Sequence, residues 1–198
     1  MDWYVVDKKY INYLTQFDSH VGYVEYGERL KLHVGILLTI GDFHYYVPIS
    51  SAKPKHQKMS NSLDFHKLQD ESTGYLYAVL NINNMIPVPD NCLTQLKYNQ
   101  VESFRSFSNE KEKTDYVYLL QKEKALIDNV QDTLQNKALK LYQKCIAKPD
   151  SSLAARCCNF KMLEEKCSSF YDGISSVIVW SRKSSRMISS HLRYFFIL

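Results

Sequence analysis

The sequence predicts an α+β fold, a compact antiparallel or mixed β-sheet with helices around it, one of them long and in the C-terminal half. Three observations carry this. His33 to Ile40 and Phe43 to Ile49 are apolar runs joined by Gly41-Asp42, a two-residue connection favoured in tight β-hairpins. Tyr75 to Ile82 is a second β-prone run, followed by Asn83-Asn84 and by Met85-Ile86-Pro87-Val88-Pro89, whose prolines favour an edge strand or an exit loop. From Thr114 the apolar period changes, and Leu120, Ile127, Leu134 and Leu141 recur at the spacing of a long amphipathic helix.

The remaining elements follow in chain order. Trp3 to Val6 is a short aromatic and β-branched strand, and Asp7 can cap a helix whose apolar positions Tyr10, Tyr13, Leu14 and Phe17 share one face. Ser19 to Arg29, with Gly22 and Gly27, reads as a loop that carries Tyr23, Tyr26 and Arg29 and exits at Lys31. Lys148-Pro149-Asp150 ends the long helix, and Asn159 can cap a last one through Met162, Leu163 and Cys167 to about Tyr171. Residues 1–171 therefore read as one domain, for which 198 residues with 45% hydrophobic content supply enough core. Residues 172–198 read as a basic, Ser-rich C-terminal tail, either an extension of the domain or a basic arm that contacts RNA.

Composition excludes several classes. The five cysteines, Cys92, Cys145, Cys157, Cys158 and Cys167, lack C-x-x-C spacing and follow no signal peptide, so they are expected as reduced packing residues rather than as a zinc site. No apolar run is long enough to span a bilayer, which predicts a soluble, cytoplasmic protein without a membrane partner. There is no phosphate-binding G-x-x-x-x-G-K-[ST], no G-x-G-x-x-G, no H-E-x-x-H and no G-x-S-x-G.

The net charge of +4 is modest, but its distribution is not even. Pro48-Ile49-Ser50-Ser51-Ala52-Lys53-Pro54-Lys55-His56 and Lys58 group hydroxyls, lysines and an imidazole at the end of the hairpin, and no acidic residue occurs between Asp42 and Asp64. That grouping suits a phosphodiester. RNA carries its own nucleophile, the 2′-hydroxyl, so a ribonuclease needs only to activate it, align it and stabilise charge on the phosphorane-like transition state, without a metal ion or cofactor. Ser51 and Lys53, two apart in an extended segment, would project to the same side. The same residue types also make up ordinary solvated loops after strands, so the pattern alone leaves both readings open.

Five blocks, in this order, resemble the ToxN/AbiQ family of bacterial type III toxin–antitoxin systems: the Tyr4 to Phe17 segment, Val34-Gly35-Ile36-Leu37-Leu38, Pro48-Ile49-Ser50-Ser51-Ala52-Lys53, Asn83-Asn84-Met85-Ile86-Pro87, and Cys158-Asn159-Phe160-Lys161-Met162-Leu163-Glu164-Glu165-Lys166. The resemblance covers residues 1–171. It implies a highly twisted antiparallel sheet like that of the MazF and Kid toxins. It also implies a metal-independent endoribonuclease that cuts cellular or phage RNA to a 2′,3′-cyclic phosphate and causes growth arrest or abortive infection. Such a toxin is inhibited by a small structured, pseudoknot-like antitoxin RNA, which it processes from a repeat-containing precursor and with which it forms a closed protein–RNA assembly.

Residue by residue, the resemblance implies that Ser51 and Lys53 are catalytic, Ser51 orienting the 2′-hydroxyl or phosphate and Lys53 stabilising the transition-state charge, with proton transfer as the alternative role for Lys53. Ser50, Tyr26 and Lys31 match further family positions, Tyr26 only through a one-residue gap that leaves Tyr23 as a competitor. Alanine stands at position 52 where the family usually has proline. Arg29, Lys55, His56 and Lys58 complete the expected RNA groove. Two rival readings remain open at this point. A non-catalytic RNA-binding module would keep RNA binding without Ser51-dependent cleavage, and a protein-interaction factor would depend on the long helix without salt-sensitive RNA binding.

Overall fold

The computed structural model describes residues 1–22, 25–26 and 29–170; residues 25–26 and 29–30 are described as backbone only. Strand β1 (Asp2–Val6) leads into α1 (Lys8–Leu14), followed by the short strands β2 (Glu25–Tyr26) and β3 (Arg29–Leu30). The hairpin strands β4 (Leu32–Ile40) and β5 (Phe43–Ser51) come next, then α2 (Pro54–Gln57), β6 (Phe65–Gln69), β7 (Leu76–Asn81), β8 (Ile86–Pro87) and β9 (Leu93–Gln95). Helices α3 (Glu110–Asn129), α4 (Gln131–Ala147) and α5 (160–170) complete the domain. The seven-stranded sheet has the order β6-β7-β5-β4-β1-β9, with β8 pairing β5, and every pairing is antiparallel. The α+β expectation therefore holds, with the sheet antiparallel throughout.

The hairpin forms where expected. Ile40 faces Phe43 across a turn in which Gly41 takes a φ of 55°, a left-handed value that glycine adopts without steric cost. Gly35 meets a different demand: a Cβ there would lie 2.2 Å from the Tyr46 ring, at the register shift between Val34 and Leu38. Strand β5 runs two residues past the expected Ile49 because it changes partner. Tyr45 and Tyr46 pair with β8, while Ile49, Ser50 and Ser51 pair with Leu80, Val79 and Ala78 of β7. Strands β6 and β9 were not expected from the sequence.

Two helical expectations need correction. Helix α1 is capped by Asp7, whose carboxylate accepts the Lys9 N–H at 2.6 Å, but it ends at Leu14. Phe17 therefore leaves the core face and sits 42% exposed, with Lys166 Nζ of α5 4.2 Å from its ring centre. The single long helix is divided at Val130, whose φ and ψ of −115° and 14° are non-helical. Its apolar stripe nevertheless survives, with Leu120 and Ile127 buried on α3 and Leu134, Ala138 and Leu141 buried on α4. The split lets α3 pack on β6 and β7 while α4 packs on β4.

The family-like blocks that bear no obvious chemistry meet in space. Tyr10 donates its hydroxyl hydrogen to the Pro87 carbonyl at 2.7 Å, and the Asn83 carbonyl accepts the Cys158 N–H at 2.8 Å. Asn83 and Asn84 side-chain amides bond the carbonyls of Arg156 and His20. Asn159 caps α5 by accepting the Met162 N–H, and its own N–H is taken by buried Asp18. These bonds satisfy backbone groups that burial would otherwise leave without partners. All five cysteines are buried and unpaired, as expected for packing residues. No helix among the described residues is long and apolar enough to cross a membrane.

Candidate active site

Ser50 and Ser51 end β5, so their backbone is held by the β7 ladder rather than by a loop. Lys31 stands just before β4 and reaches across to Ser50, its Nζ donating to Ser50 Oγ at 2.7 Å. Asn81, at the end of β7, donates its amide to the same oxygen at 3.1 Å. With two hydrogen bonds accepted, the Ser50 oxygen has both lone pairs used and its own hydrogen left to donate outward. Ser51 is exposed next to it.

Lys53 is fixed by the single helical turn that follows. Its φ and ψ of −124° and 157° are extended, Pro54 begins α2, and the Lys53 carbonyl accepts the His56 N–H at 2.8 Å. The Lys53 N–H in turn donates to His56 Nδ1 at 3.1 Å. His56, expected in the RNA groove, is instead buried and packed 5.8 Å from the Phe65 ring, so its imidazole holds the Lys53 backbone and is not offered to a ligand. Burial, with Lys55 and Lys53 nearby, lowers its pKa and keeps Nδ1 free to accept.

Lys31, Ser50, Ser51 and Lys53 line one cavity of about 410 Å³, within the usual range of ligand sites. Its far wall comes from the 96–105 segment and α3: Leu96, Val101, Phe104, Arg105, Tyr116, Leu119, Leu120 and Glu123. Lys55 and Lys58 are exposed but do not line it. The side chains of Tyr26 and Arg29 lie outside the described residues; their backbones pair with each other across β2 and β3.

The cavity perturbs its ionisable groups. Burial, reinforced by the charge of Lys53, lowers the Lys31 pKa to about 8, so its neutral amine is accessible near physiological pH. Behind it His33 is fully enclosed and held neutral, its pKa pushed down to about 3 by burial and by Lys31. Burial pushes the Glu123 carboxyl up to about 7. Arg105 is already engaged, with its guanidinium 4.7 Å from the Tyr116 ring centre and 2.6 Å from Glu112. Among the described residues, no three His, Cys, Asp or Glu side chains gather as a metal-ligand set.

Asn81, Arg105, Tyr116 and Glu123 were not singled out in the sequence. Glu123 did leave a signal there: it sits between Leu120 and Ile127, three and four residues away, where the apolar stripe calls for a hydrophobic residue.

The model of the family described as toxin ToxN, type III toxin–antitoxin system, matches residues 2–168. The chain belongs to that family. Endoribonuclease AbiQ of Lactococcus lactis subsp. lactis is 28% identical over 173 residues, covering 83% of this chain and 86% of the relative. Endoribonuclease ToxN of Bacillus thuringiensis subsp. kurstaki is 27% identical over 175 residues, covering 85% of this chain and 83% of the relative. Among solved structures, that of AbiQ, described as a lactococcal anti-phage endoribonuclease, superposes with a TM-score of 0.72 at 26% identity over 86% of this chain and 98% of that one. A structure from work on selective toxin inhibition by a non-coding RNA pseudoknot gives 0.73 at 27% identity over 86% of this chain and 97% of the other. The family match over residues 2–168 includes every residue that lines the cavity.

Proposed function

We infer that this chain is the endoribonuclease toxin of a type III toxin–antitoxin system, acting in the cytoplasm on cellular or phage RNA, with its catalytic centre at the end of β5. The observation that carries this reading is the convergence of Lys31, Ser50, Ser51 and Lys53 on one cavity in a ToxN-family chain. In-line attack of the 2′-hydroxyl oxygen on the adjacent phosphorus forms the bond that closes a 2′,3′-cyclic phosphate and breaks the bond to the 5′-oxygen, which leaves as a hydroxyl with a proton taken from water. Lys31, wired to Ser50 and able to lose its proton near neutrality, takes the 2′-hydroxyl proton. Ser51 orients the phosphate, Ser50 donates its free hydrogen to a nonbridging oxygen, and Lys53 stabilises the charge that develops there. Each of these roles is filled by the chain's own groups, so cleavage proceeds without a metal ion.

The likeness to a structure from work on toxin inhibition by a non-coding RNA pseudoknot supports a small structured RNA as the inhibitory partner, bound over this cavity, processed by it and held in a closed protein–RNA assembly. Exposed Lys53, Lys55 and Lys58 place positive charge at the rim for its backbone. The test is cleavage of a defined RNA in EDTA by the native protein and by soluble Lys53→Ala and Ser51→Ala variants. The native protein should leave cyclic-phosphate ends, and each variant should lose about 100- to 1,000-fold, the usual cost of removing one transition-state contact. Full activity of folded Lys53→Ala overturns the proposed centre, and a strict requirement for a divalent ion overturns the metal-free mechanism.

A further inference from the structure

The chemistry of cleavage uses only one wall of the cavity. The opposite wall is apolar and aromatic, formed by Leu96, Val101, Phe104, Tyr116 and Leu119, and in it stands a carboxyl, Glu123, that is 6% exposed. Placing a carboxyl on the buried stripe of an amphipathic helix is unfavourable unless something binds it. The molecule shows how such a group is otherwise satisfied: Glu164, equally buried on α5, accepts from the hydroxyls of Tyr45 and Tyr142 and from Lys161. Among the described residues no hydrogen bond or ion pair reaches Glu123, and the upward displacement of its pKa has burial as its single cause.

The order of groups across the cavity matches the order of groups in a nucleotide. Hydroxyls and lysines suit a phosphate, and the rest of the lining is apolar and aromatic side chains with one carboxyl among them. A flat heterocycle in this half of the cavity could turn an exocyclic amine toward that carboxyl. Ionised or neutral, a carboxyl keeps an oxygen that accepts such an N–H. Adenine, cytosine and guanine carry an exocyclic amine; uracil does not.

We propose that the apolar half of the cavity is a nucleobase subsite in which Glu123 accepts a hydrogen bond from the exocyclic amine of an unpaired base next to the phosphate held by Ser50, Ser51 and Lys53. Arg105 serves this subsite indirectly, by fixing the Tyr116 ring through its stacked guanidinium. The subsite rests on the RNA-cleavage reading only for the identity of the neighbouring phosphate. It makes the protein selective for single-stranded segments, because a paired base has its amine already engaged.

The test is equilibrium binding of short oligoribonucleotides with a 2′-deoxy sugar at each candidate cleavage position, which blocks cleavage and separates recognition from chemistry. At each position adenine is exchanged for purine, which lacks only the amine, or for an abasic sugar. At one position the native protein should bind the adenine form about tenfold to a hundredfold more tightly than the purine form, the range of one good base contact. Glu123→Leu should bind both forms alike while still preferring either to the abasic one, and Glu123→Gln, which keeps an acceptor oxygen, should retain part of the preference. Equal native affinity for adenine and purine forms at every position overturns the subsite. So does an undiminished preference in folded Glu123→Leu, or, should that variant not fold, an altered pH profile of cleavage by Glu123→Gln without any change in base preference, the result expected of a proton carrier. A native protein that discriminates the bases but does not cleave the all-ribose RNA would count against the ribonuclease reading and leave the subsite standing.

Discussion

Two polar regions of this molecule sit on the same kind of scaffold and are finished in opposite ways. Beneath α5, Glu164 is saturated: Tyr45 and Tyr142 donate to one of its oxygens at 2.8 and 2.7 Å and Lys161 to the other at 2.9 Å. In the cavity the balance is different. Lys31 donates to Ser50 yet is desolvated beside another cation, Ser50 retains a hydrogen to donate, and Glu123 lies on a wall with Leu96, Leu119 and Leu120. The first region spends its polar groups on the fold. The second keeps them available to a ligand, which lowers stability in exchange for reactivity.

Lys31 should break this comparison most sharply. If its neutral amine takes the 2′-hydroxyl proton, cleavage rises with pH and levels off above about 8. Lys31→Arg, charged at all working pH values, should lose that limb and about 100- to 10,000-fold in rate, the range for a positioned proton acceptor. Stability should move the other way. A lysine whose folded pKa is lowered carries an unfavourable charge below about 8, and the penalty is relieved as pH rises from there toward 10.5. Lys31→Met should therefore keep or raise the melting temperature at pH 7 while abolishing cleavage. A melting temperature that falls steeply would mean that Lys31 supports the fold.

Glu164 should give the mirror image. Glu164→Leu removes the carboxylate acceptor of the buried Tyr45 and Tyr142 hydroxyls, leaving Tyr45 only the Phe160 carbonyl at 3.5 Å, at about 2 to 4 kcal/mol for the two together. Denaturant unfolding reads this directly, and cleavage per folded molecule should be unchanged. Loss of activity in the folded fraction would join the two regions and undo the contrast.

The same division decides what could be read from the sequence. The cleavage wall is nearly contiguous, since Ser50, Ser51 and Lys53 occupy one strand end and the turn after it, so a short window displays their chemistry. The opposite wall is assembled by folding: Tyr116 and Glu123 line the same cavity as Ser50 because α3 packs on β6 and β7, Leu96 is tied to the sheet by its N–H bond to the Trp3 carbonyl, and no local pattern encodes that arrangement. Hairpin, prolines and capping residues were legible because turns and caps are local. Strand β6, Phe-His-Lys-Leu-Gln, was not, having no β-branched residue, and β9 is only three residues long. His56 was misplaced for a related reason, since burial against Phe65 is a tertiary fact. The break at Val130 escaped because the stripe of buried residues runs on across it.

The smallest effect belongs to the rim, where Lys55 and Lys58 stand exposed outside the cavity. If they contact only phosphates, neutralising either should weaken binding of all RNA sequences alike, without a change in the cleavage rate at saturation. The slope of log affinity against log salt should become shallower by about 0.7 for each single-strand phosphate contact removed. Lys55→Ala and Lys58→Ala, measured over a salt series with a non-cleavable RNA, should each lower affinity while keeping the base preference. A change in preference would draw these lysines into recognition and extend the reading surface beyond the cavity. An unchanged slope would point instead to Lys31 and Lys53, the two lysines that line the cavity itself.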